Sequence, residues 1–417
     1  MTGALLAFAP LPGRPGIDPY AESQKLKAQP LPQAKANYEA IVRALEIWIL
    51  SSSARKHDFE AAVRTAQSFN VTGMEEIQTL DDYLHFINSL LTWIPTEAVR
   101  PKELLFRITT MWFILDQPSV IQYQSPIRPT LRTVITCNHP ESSKLTWLST
   151  WMLRFSTQLG KFMDSPASAG AIDTFRSNPS YHMDEYIEPH SGWKTFNAFF
   201  ARHVKPGSRP IASIGDSSVI TSPADFSFKE SHRVSADSTV TTKGVTWAIG
   251  AMLEGSPYKE RFGGGVWLHG FLDVNDYHRV HAPVPGRVVE ARVIQGGNCM
   301  AVNAKPTGSD GNGDGKTELT VPNELGYHIS QTRGLVVIDT GFGLVGVLPV
   351  GMAVVSSVVL TAGVGVNLHK GEELGYFQFG GSDVVLAFEG ALDFRHVMEE
   401  GTHYRMGREI GRVCGST

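Results

Sequence analysis

Cysteine is scarce in this sequence, with only Cys137, Cys299 and Cys414, at a spacing that matches no metal-binding pattern. A sparse and odd count is typical of reduced thiols, so it predicts a cytoplasmic protein. No apolar run reaches the ~18 residues that a membrane-spanning helix needs. No long basic run is present either, and the formal net charge of −4 gives no reason to expect a nucleic-acid partner.

The length and composition are those of a soluble globular protein. A chain of 417 residues can bury a large core and form two domains. Its 42% hydrophobic and 19% charged residues are ordinary values. Residues 1–30 are rich in proline and are predicted to be an irregular lead. The short apolar run at 4–10 lacks the basic flank of a secretory signal, which disfavours secretion.

Residues 31–135 are predicted to form a helical N-terminal domain. Apolar side chains recur there at helical spacing, first over 38–49 and again over 79–93. Pro101 is placed to lie in the first turn of a third helix over 102–115.

Residues 136–190 are predicted to be a linker that contains one amphipathic helix. Ser142 or Ser143 would cap this helix, which ends near Phe162. The helix carries few cations, which favours packing against the core over contact with a membrane surface.

From about Val219 the pattern changes to short strand-like runs separated by glycine and proline turns. The runs lie at 240–247, 266–271, 286–293, 334–340, 344–350, 354–360 and 384–388. The sequence therefore predicts an α+β fold, with a helical N-terminal domain followed by a mostly β domain over 191–417. Its turns at 282–288 and 370–375 resemble the hairpins of barrel-sandwich hybrids, the architecture of biotinyl carriers.

The peptide bond between Gly381 and Ser382 is a candidate for self-cleavage. A serine hydroxyl can attack the preceding carbonyl and form an ester, and glycine at 381 removes the Cβ that would crowd the attack. Gly380 leaves room for donors beside the developing oxyanion. Elimination of the ester and loss of ammonia would leave a ketone, which can form a Schiff base with a substrate amine and accept the electrons of a decarboxylation. An isolated Gly-Gly-Ser is most often a surface turn, so other residues must support this interpretation.

Two histidines supply the proton chemistry that such a serine needs. His278 and His281 lie three residues apart, beside Asp276, and histidine titrates near neutral pH. Asp225, in a turn-like segment, is a candidate to orient one of them. His269, His278 and His281 could instead bind zinc. The proton-transfer interpretation uses two of the three and predicts no metal site.

Residues 310–315 fit the start of an EF-hand calcium loop. Position twelve of such a loop would be Val321 rather than glutamate, and the flanking sequence does not predict helices. A hairpin loop is therefore the preferred interpretation, and calcium binding is left open.

Several motifs, in the same order, resemble those of the phosphatidylserine decarboxylases. The segments at 196–202 and 205–210 match the opening signature of that family, and 222–225 matches the segment that supplies its aspartate. Residues 276–281 match its histidine motif, and 380–382 match its cleavage motif.

The resemblance covers roughly residues 190–417 and implies roles for four residues. Asp225, His281 and Ser382 would form the self-cleavage triad, and His278 would assist decarboxylation as a proton donor. Ser382 would become a covalent pyruvoyl cofactor, and the precursor would yield a large chain and a small chain that begins at position 382. The implied enzyme is a carboxy-lyase, made as a zymogen, that acts on a small amine-bearing carboxylate.

The helical N-terminal region is similar to the domain that precedes this module in fungal soluble relatives, among them the tryptophan decarboxylase of psilocybin biosynthesis. This favours an amino acid as the substrate, with an aromatic one as a candidate, in specialised metabolism. A true phosphatidylserine decarboxylase and an uncleaved, non-catalytic relative are the alternatives. Membrane contact is disfavoured, and a homodimer is left open.

Two positions depart from the family pattern. Asp383 follows the serine where the family usually has Thr or Ser, and its carboxylate is expected to sit beside the new cofactor. There it could slow maturation, contact the substrate amine, or do neither. Phe226 follows Asp225 where membrane relatives usually have glycine, and it either fills the core or walls the substrate pocket. Phe226, Tyr277 and Asp383 are therefore the candidate substrate-pocket residues.

Overall fold

The computed structural model describes most of the chain that follows the N-terminal lead. The described residues are 37–100, 102–125, 145–235, 239–242, 245–298, 300–307, 316–321, 331–352 and 357–414. The irregular lead, the calcium-like loop at 310–315 and the predicted caps Ser142 and Ser143 lie outside them.

The described α-helices lie mainly in the first half of the chain, and local capping sets several of their starts. Thr79 and Asp82 form a reciprocal capping box, in which each side chain accepts a hydrogen bond from the other's backbone N–H. Ser52 and Thr146 each accept a backbone N–H of the helix that follows. The helices are α1 (Ala40–Leu50), α2 (Ser53–Ser68), α3 (Leu80–Leu90), α4 (Glu103–Leu115), α5 (Pro118–Ile121), α6 (Trp147–Met163), α7 (Ile172–Arg176), α8 (Phe196–Phe200) and α9 (Ile249–Met252).

The apolar stripes of the longer helices meet in one core. The rings of Trp48 on α1 and Trp147 on α6 are stacked with their centroids 4.5 Å apart. Trp151, also on α6, is fully buried, and its Nε1 donates to the Ile41 carbonyl over 2.8 Å. The apolar stripe of α6 therefore packs inward. No described helix is both long and apolar enough to cross a bilayer.

The described β-strands lie mainly after residue 218, and glycine and proline turns separate many of them. They are β1 (Tyr186–Ile187), β2 (His203–Val204), β3 (Val219–Thr221), β4 (Phe226–Arg233), β5 (Thr239–Thr242), β6 (Val245–Ala248), β7 (Val266–Leu272), β8 (Arg279–His281), β9 (Gly286–Ile294), β10 (Asn303–Pro306), β11 (Thr317–Thr320), β12 (Arg333–Asp339), β13 (Leu344–Met352), β14 (Val358–Leu360), β15 (Asn367–Leu368), β16 (Glu373–Phe377), β17 (Gly381–Phe388), β18 (Asp393–His396), β19 (His403–Tyr404) and β20 (Glu409–Cys414).

An antiparallel sheet of eight strands, in the order β15-β9-β12-β13-β17-β7-β4-β19, organises the β region. Strand β17 lies inside it, between β13 and β7. A three-stranded sheet in the order β14-β16-β8 carries the last three residues of the histidine motif on β8, and another in the order β18-β20-β3 contains the last described strand.

The two faces of the eight-stranded sheet contact different cores, because side chains alternate along a strand. On β17, Val384 and Leu386 belong to the large core that includes the helices. Val385 and Ala387 belong to a second core on the opposite face. This alternation decides which way each residue near the start of β17 points.

The helical and β regions are in direct contact. Thr317 of β11 exchanges backbone hydrogen bonds with Asn70 and Thr72, at 3.1 and 3.0 Å. Lys102 Nζ lies 2.7 Å from Asp273 Oδ2, just beyond the end of β7. One hydrophobic core contains residues of both regions. The domain boundary near residue 190 stays a prediction, because this hydrophobic core includes residues from both sides of that position.

The α+β prediction is confirmed. The runs at 266–271, 286–293 and 344–350 correspond to β7, β9 and β13, with ends that differ by no more than about two residues. The run at 240–247 is a hairpin of two short strands, β5 and β6, rather than one strand. Strand β17 begins at Gly381, earlier than the predicted run at 384–388, because residues 381–383 pair with β13.

Gly270 on β7 lies directly against the Phe226 ring. A Cβ at position 270 would come within 2.3 Å of Phe226 Cδ2, and the ring is buried. We predict that Gly270→Ala lowers the free energy of unfolding by about 1–3 kcal/mol, because overpacking a core typically costs that much. Chemical denaturation measures the loss. In a Phe226→Leu background the same substitution should cost less, and an equal cost in both backgrounds would contradict the contact.

Candidate active site

The Ser382 side chain is fully buried near the start of β17. Its Oγ lies 3.3 Å from His278 Nδ1, within hydrogen-bonding distance. Leu272 on β7 and Gly351 on β13 are its cross-strand neighbours. Gly380 has a φ of 152°, which residues with a side chain rarely adopt. Glycine at 380 therefore lets the backbone reach the strand in this conformation.

His278 is oriented to accept the Ser382 proton. Its Nε2 lies 3.4 Å from the Val274 carbonyl. A carbonyl only accepts, so Nε2 carries the hydrogen and Nδ1 is the acceptor. The Phe200 ring stacks on the imidazole with the centroids 3.8 Å apart. Burial lowers the pKa of His278 from 6.5 to about 3, with a smaller contribution from the Arg202 charge, so the ring is neutral at neutral pH.

Arg202 is a buried cation near His278. Its Nη2 donates to the carbonyls of Asn275 and Asp276 over 3.0 and 3.4 Å. The guanidinium carbon lies 4.1 Å from the centroid of the Tyr186 ring. Arg202 thus anchors the backbone that leads into the histidine motif.

His281 uses both of its ring nitrogens for other partners. Its Nδ1 lies 2.8 Å from the Gly371 carbonyl, so Nδ1 carries the hydrogen of the neutral ring. Its Nε2 lies 3.0 Å from the Tyr277 hydroxyl, which donates to it. Burial lowers the pKa of His281, and the negative charge of Asp225 is among the influences that oppose this shift.

Asp225 is ion-paired with Arg209. The Nε and Nη2 atoms of Arg209 donate to its carboxylate over 2.9 and 2.6 Å, and both side chains are buried. The Met406 backbone N–H adds a hydrogen bond of 2.7 Å. The His281 backbone N–H donates to the Pro223 carbonyl over 2.7 Å, so the Asp225 segment runs beside that histidine.

Among the described hydrogen bonds, Ser382 is joined to His278, His281 to Tyr277, and Asp225 to Arg209. An Asp225–His281–Ser382 relay is not among them, because Tyr277 occupies Nε2 of His281. The structure therefore gathers the implied residues into one region without linking the implied triad. Their roles stay predictions.

Comparison with known proteins identifies the family. A family model described as phosphatidylserine decarboxylase matches residues 196–412, more than half of the chain. The chain belongs to the phosphatidylserine decarboxylase family. Members of this family are carboxy-lyases made as proenzymes, and they use a covalent pyruvoyl group formed from a serine.

Three curated relatives, from a yeast, a plant and a bacterium, are all named phosphatidylserine decarboxylase proenzymes. The chain is 34% identical over 231 residues to phosphatidylserine decarboxylase proenzyme 3 of Schizosaccharomyces pombe, covering 55% of this chain and 22% of the relative. It is 32% identical over 247 residues to proenzyme 2 of Oryza sativa, covering 57% of this chain and 37% of the relative. For the proenzyme of Saccharophagus degradans the identity is 29% over 262 residues, covering 58% of this chain and 86% of the relative. The chain thus spans well under half the length of the yeast and plant relatives.

The residues around position 382 fit the family's pyruvoyl group. Ser382 lies within the matched region, and its hydroxyl contacts the buried, neutral His278. Two glycines precede it, and Gly380 already has a backbone conformation that only glycine adopts with ease. A serine in this setting suits the family's conversion.

Asp383 faces away from Ser382, contrary to the expectation that its carboxylate would sit beside the cofactor. Alternation along β17 turns the carboxylate toward the second core, where Oδ1 lies 3.4 Å from His269 Nε2. Glu230 Oε1 lies 3.9 Å from the other nitrogen of His269. In this family member, the residue after the serine therefore belongs to a cluster of ionisable side chains on the far face of the sheet.

Phe226 and Tyr277 are both buried, and neither lines the polar cavity of about 470 Å³ found beside Asp225. The lining of that cavity includes Glu185, Arg209, Asp225, Asp276, His403 and Arg405. The hydrogen bond from His403 Nε2 to Asp276 Oδ1, at 2.8 Å, raises the pKa of His403. Phe226 fills the core against Gly270, as one of its two predicted roles requires.

Sequence reasoning did not single out Phe200, Arg202 or Arg209. All three lie inside the matched opening signature, which was the available signal. Their partners are 16 to 78 residues away in the chain, so no local pattern could reveal the contacts. The alternative of a zinc site finds no support among the described residues, where no group of three or more His, Cys, Asp or Glu side chains is placed to hold a metal ion.

We predict that acid destabilises the uncleaved Ser382→Ala precursor through His278. An unfolded histidine binds a proton below pH 6.5, whereas folded His278 does so only near pH 3. The contribution of His278 to stability is therefore fully present above pH 6.5 and is lost as the pH falls toward about 3. The slope is about 1.4 kcal/mol per pH unit for this residue. Urea unfolding between neutral pH and about pH 5 measures it.

His278→Asn in the same background should flatten that dependence. His57, an exposed histidine on α2, provides the control, and His57→Asn should leave the slope as it is. The assignment would be contradicted if the His278→Asn precursor lost stability in acid as steeply as its parent.

Proposed function

We propose that this chain is a phosphatidylserine decarboxylase that matures by cutting itself between Gly381 and Ser382. The observation that carries the proposal is the buried contact of Ser382 Oγ with His278 Nδ1, at 3.3 Å, inside the matched region 196–412. The contact places a buried serine hydroxyl beside a neutral imidazole, a setting that suits proton transfer at position 382.

The maturation chemistry proceeds through an ester. Ser382 Oγ attacks the carbonyl carbon of Gly381, its proton passes to a histidine, and the C–N bond between residues 381 and 382 breaks. The Gly381 carbonyl is then esterified to Ser382 Oγ, and the nitrogen of residue 382 is a free amine. Loss of the Cα proton of residue 382 expels residues 1–381 as a carboxylate, and water then displaces ammonia to leave a ketone. The products are the large and small chains of one precursor.

The two histidines are proposed to serve different stages. The family resemblance assigns the base of self-cleavage to His281 and a role in decarboxylation to His278. For His281 to act, its Nε2 must exchange the Tyr277 hydroxyl for Ser382. His278 already lies beside position 382 and would keep that place after the cut.

In the matured enzyme the pyruvoyl group supplies an electron sink for the departing carboxylate. The side chains around it exclude water and handle protons. The Phe200 ring covers one face of His278, and the Phe377 ring meets it edge-on with centroids 6.4 Å apart. His278 Nδ1 is then the atom placed to hold the proton that the decarboxylated substrate receives.

Phosphatidylserine is proposed as the substrate because the curated relatives carry that activity in their names. A free amino acid, aromatic or otherwise, is the second candidate that the sequence suggested, and it is compared directly in the experiment below. The homodimer and the cytoplasmic location stay predictions.

We predict that the wild-type chain purifies as two fragments that separate on a denaturing gel. The smaller fragment should begin at position 382 with a blocked N-terminus. Its mass should be lower, by one molecule of ammonia, than that of a fragment 382–417 that begins with an unmodified serine. The sample should release CO₂ from phosphatidylserine in mixed micelles faster than from tryptophan or serine. Ser382→Ala should remain a single chain and release none, because it has no hydroxyl to attack Gly381.

Thr361→Ala provides a matched control, since it removes an exposed hydroxyl of the β region whose described hydrogen bond goes to Glu373 and not to Ser382 or the two histidines. It should mature and work like the wild type. A single intact chain that still decarboxylates would refute the pyruvoyl mechanism. Faster turnover of a free amino acid would replace the proposed substrate and leave the mechanism standing.

We predict that the two histidine variants fail at different stages. His281→Ala should stay uncleaved, because loss of a positioned base typically slows a reaction by ~10²–10⁴-fold. His278→Ala should still be cut but should decarboxylate at least about 100-fold more slowly. Gel analysis reports the first stage and CO₂ release the second. The reverse pattern would assign the base to His278, and normal behaviour of both variants would remove both residues from the mechanism.

A further inference from the structure

We propose that Asn197 and Phe200, two residues of the short helix α8 (Phe196–Phe200), are positioning residues that set the distance between the Ser382 hydroxyl and the His278 ring. The proposal rests on the proposed function, because Asn197 would serve the self-cleavage before Ser382 and Phe200 would serve the role of His278 in decarboxylation. The two residues lie three positions apart, so they occupy neighbouring places on one face of the helix.

Asn197 holds the segment that carries the scissile bond. Its Oδ1 accepts a hydrogen bond from the Phe379 backbone N–H over 2.9 Å, two residues before Gly381. Its Nδ2 donates to Asp164 Oδ1 over 2.9 Å, so the second bond fixes which end of the amide faces Phe379. The side chain is buried, where an amide without partners would be costly.

Phe200 holds the histidine. Its ring lies almost parallel to the imidazole, at an interplanar angle of 19° and a centroid distance of 3.8 Å. This contact fixes the plane of the His278 ring. With the plane fixed, Nε2 faces the Val274 carbonyl and Nδ1 faces Ser382 Oγ.

Helix α8 is itself anchored at both ends. The Thr195 side chain accepts the Ala198 N–H over 3.1 Å at its start. Beyond its last turn, Arg279 Nε donates to the Ala201 carbonyl over 2.8 Å, and Arg202 Nη2 donates to the Asn275 carbonyl over 3.0 Å. Rigid support of this kind matters because a displacement of about 1 Å between reacting groups can cost ~100-fold in rate.

The test measures self-cleavage directly in freshly synthesised chain. Cell-free translation with a labelled pulse gives the half-time for conversion of the precursor into two fragments, and thermal unfolding of the matching Ser382→Ala precursors gives the stability change. We expect Asn197→Leu to slow cleavage by about tenfold or more. Phe200→Leu should still be cut, but the matured variant should release CO₂ from phosphatidylserine about tenfold or more slowly than the wild type, because Phe200 acts through His278. Phe175→Leu is the control, because Phe175 is fully buried and packs on α8 through Phe196 and Phe199, with no described contact to Ser382 or His278.

A conservative exchange separates positioning from simple loss of stability. Asn197→Asp combined with Asp164→Asn keeps an acceptor for the Phe379 N–H and reverses the side-chain bond, so it should restore cleavage to within about threefold of the wild type. The proposal is overturned if, at an equal loss of thermal stability, Phe175→Leu slows cleavage as much as Asn197→Leu or slows CO₂ release as much as Phe200→Leu. It is also overturned if Asn197→Leu cleaves at the wild-type rate. An uncut wild type would instead refute the proposed function, and the two failures are therefore distinguishable.

Discussion

Strand β17 is hydrogen-bonded along both edges, to β13 and to β7, and this double pairing decides where Ser382 can lie. A strand with two buried faces cannot slip by one residue without moving every side chain to the opposite face. The register therefore keeps the Ser382 hydroxyl on the helical side of the sheet and the Asp383 carboxylate on the other. A slip of one residue would bring the carboxylate to His278 in place of the hydroxyl.

Burial gives the site its chemistry as well as its geometry. His278 and His281 are both held in the neutral form because a charged ring would lose its hydration. The two charged side chains near these histidines, Asp225 and Arg202, have different kinds of partners. Asp225 is neutralised by Arg209, whereas Arg202 lies against aromatic rings and backbone carbonyls. The pair formed by Ser382 and His278 thus sits in a region from which water and uncompensated anions are kept away.

The sequence predicted the fold class and the region of the site better than the contacts within it. Periodicity identified strands such as β7 and β9, and the motifs located Ser382, His278, His281 and Asp225 in the chain. Which histidine touches the serine depends on ring orientation, which Phe200 sets from a distant segment and Tyr277 sets from within the motif through its hydroxyl. The direction of Asp383 depended on strand β17 starting at Gly381, three residues before its apolar run begins.

A cut at the start of β17 would leave a two-chain protein in which both fragments contribute strands to the same sheets. The fragment from position 382 onward would keep β17 in the middle of the eight-stranded sheet and β19 at its edge, while β20 would pair with β3 of the other fragment. The two polypeptides would therefore share one hydrophobic interior instead of meeting across a surface. Such fragments cannot exchange partners like ordinary subunits, since parting them means dismantling the sheet.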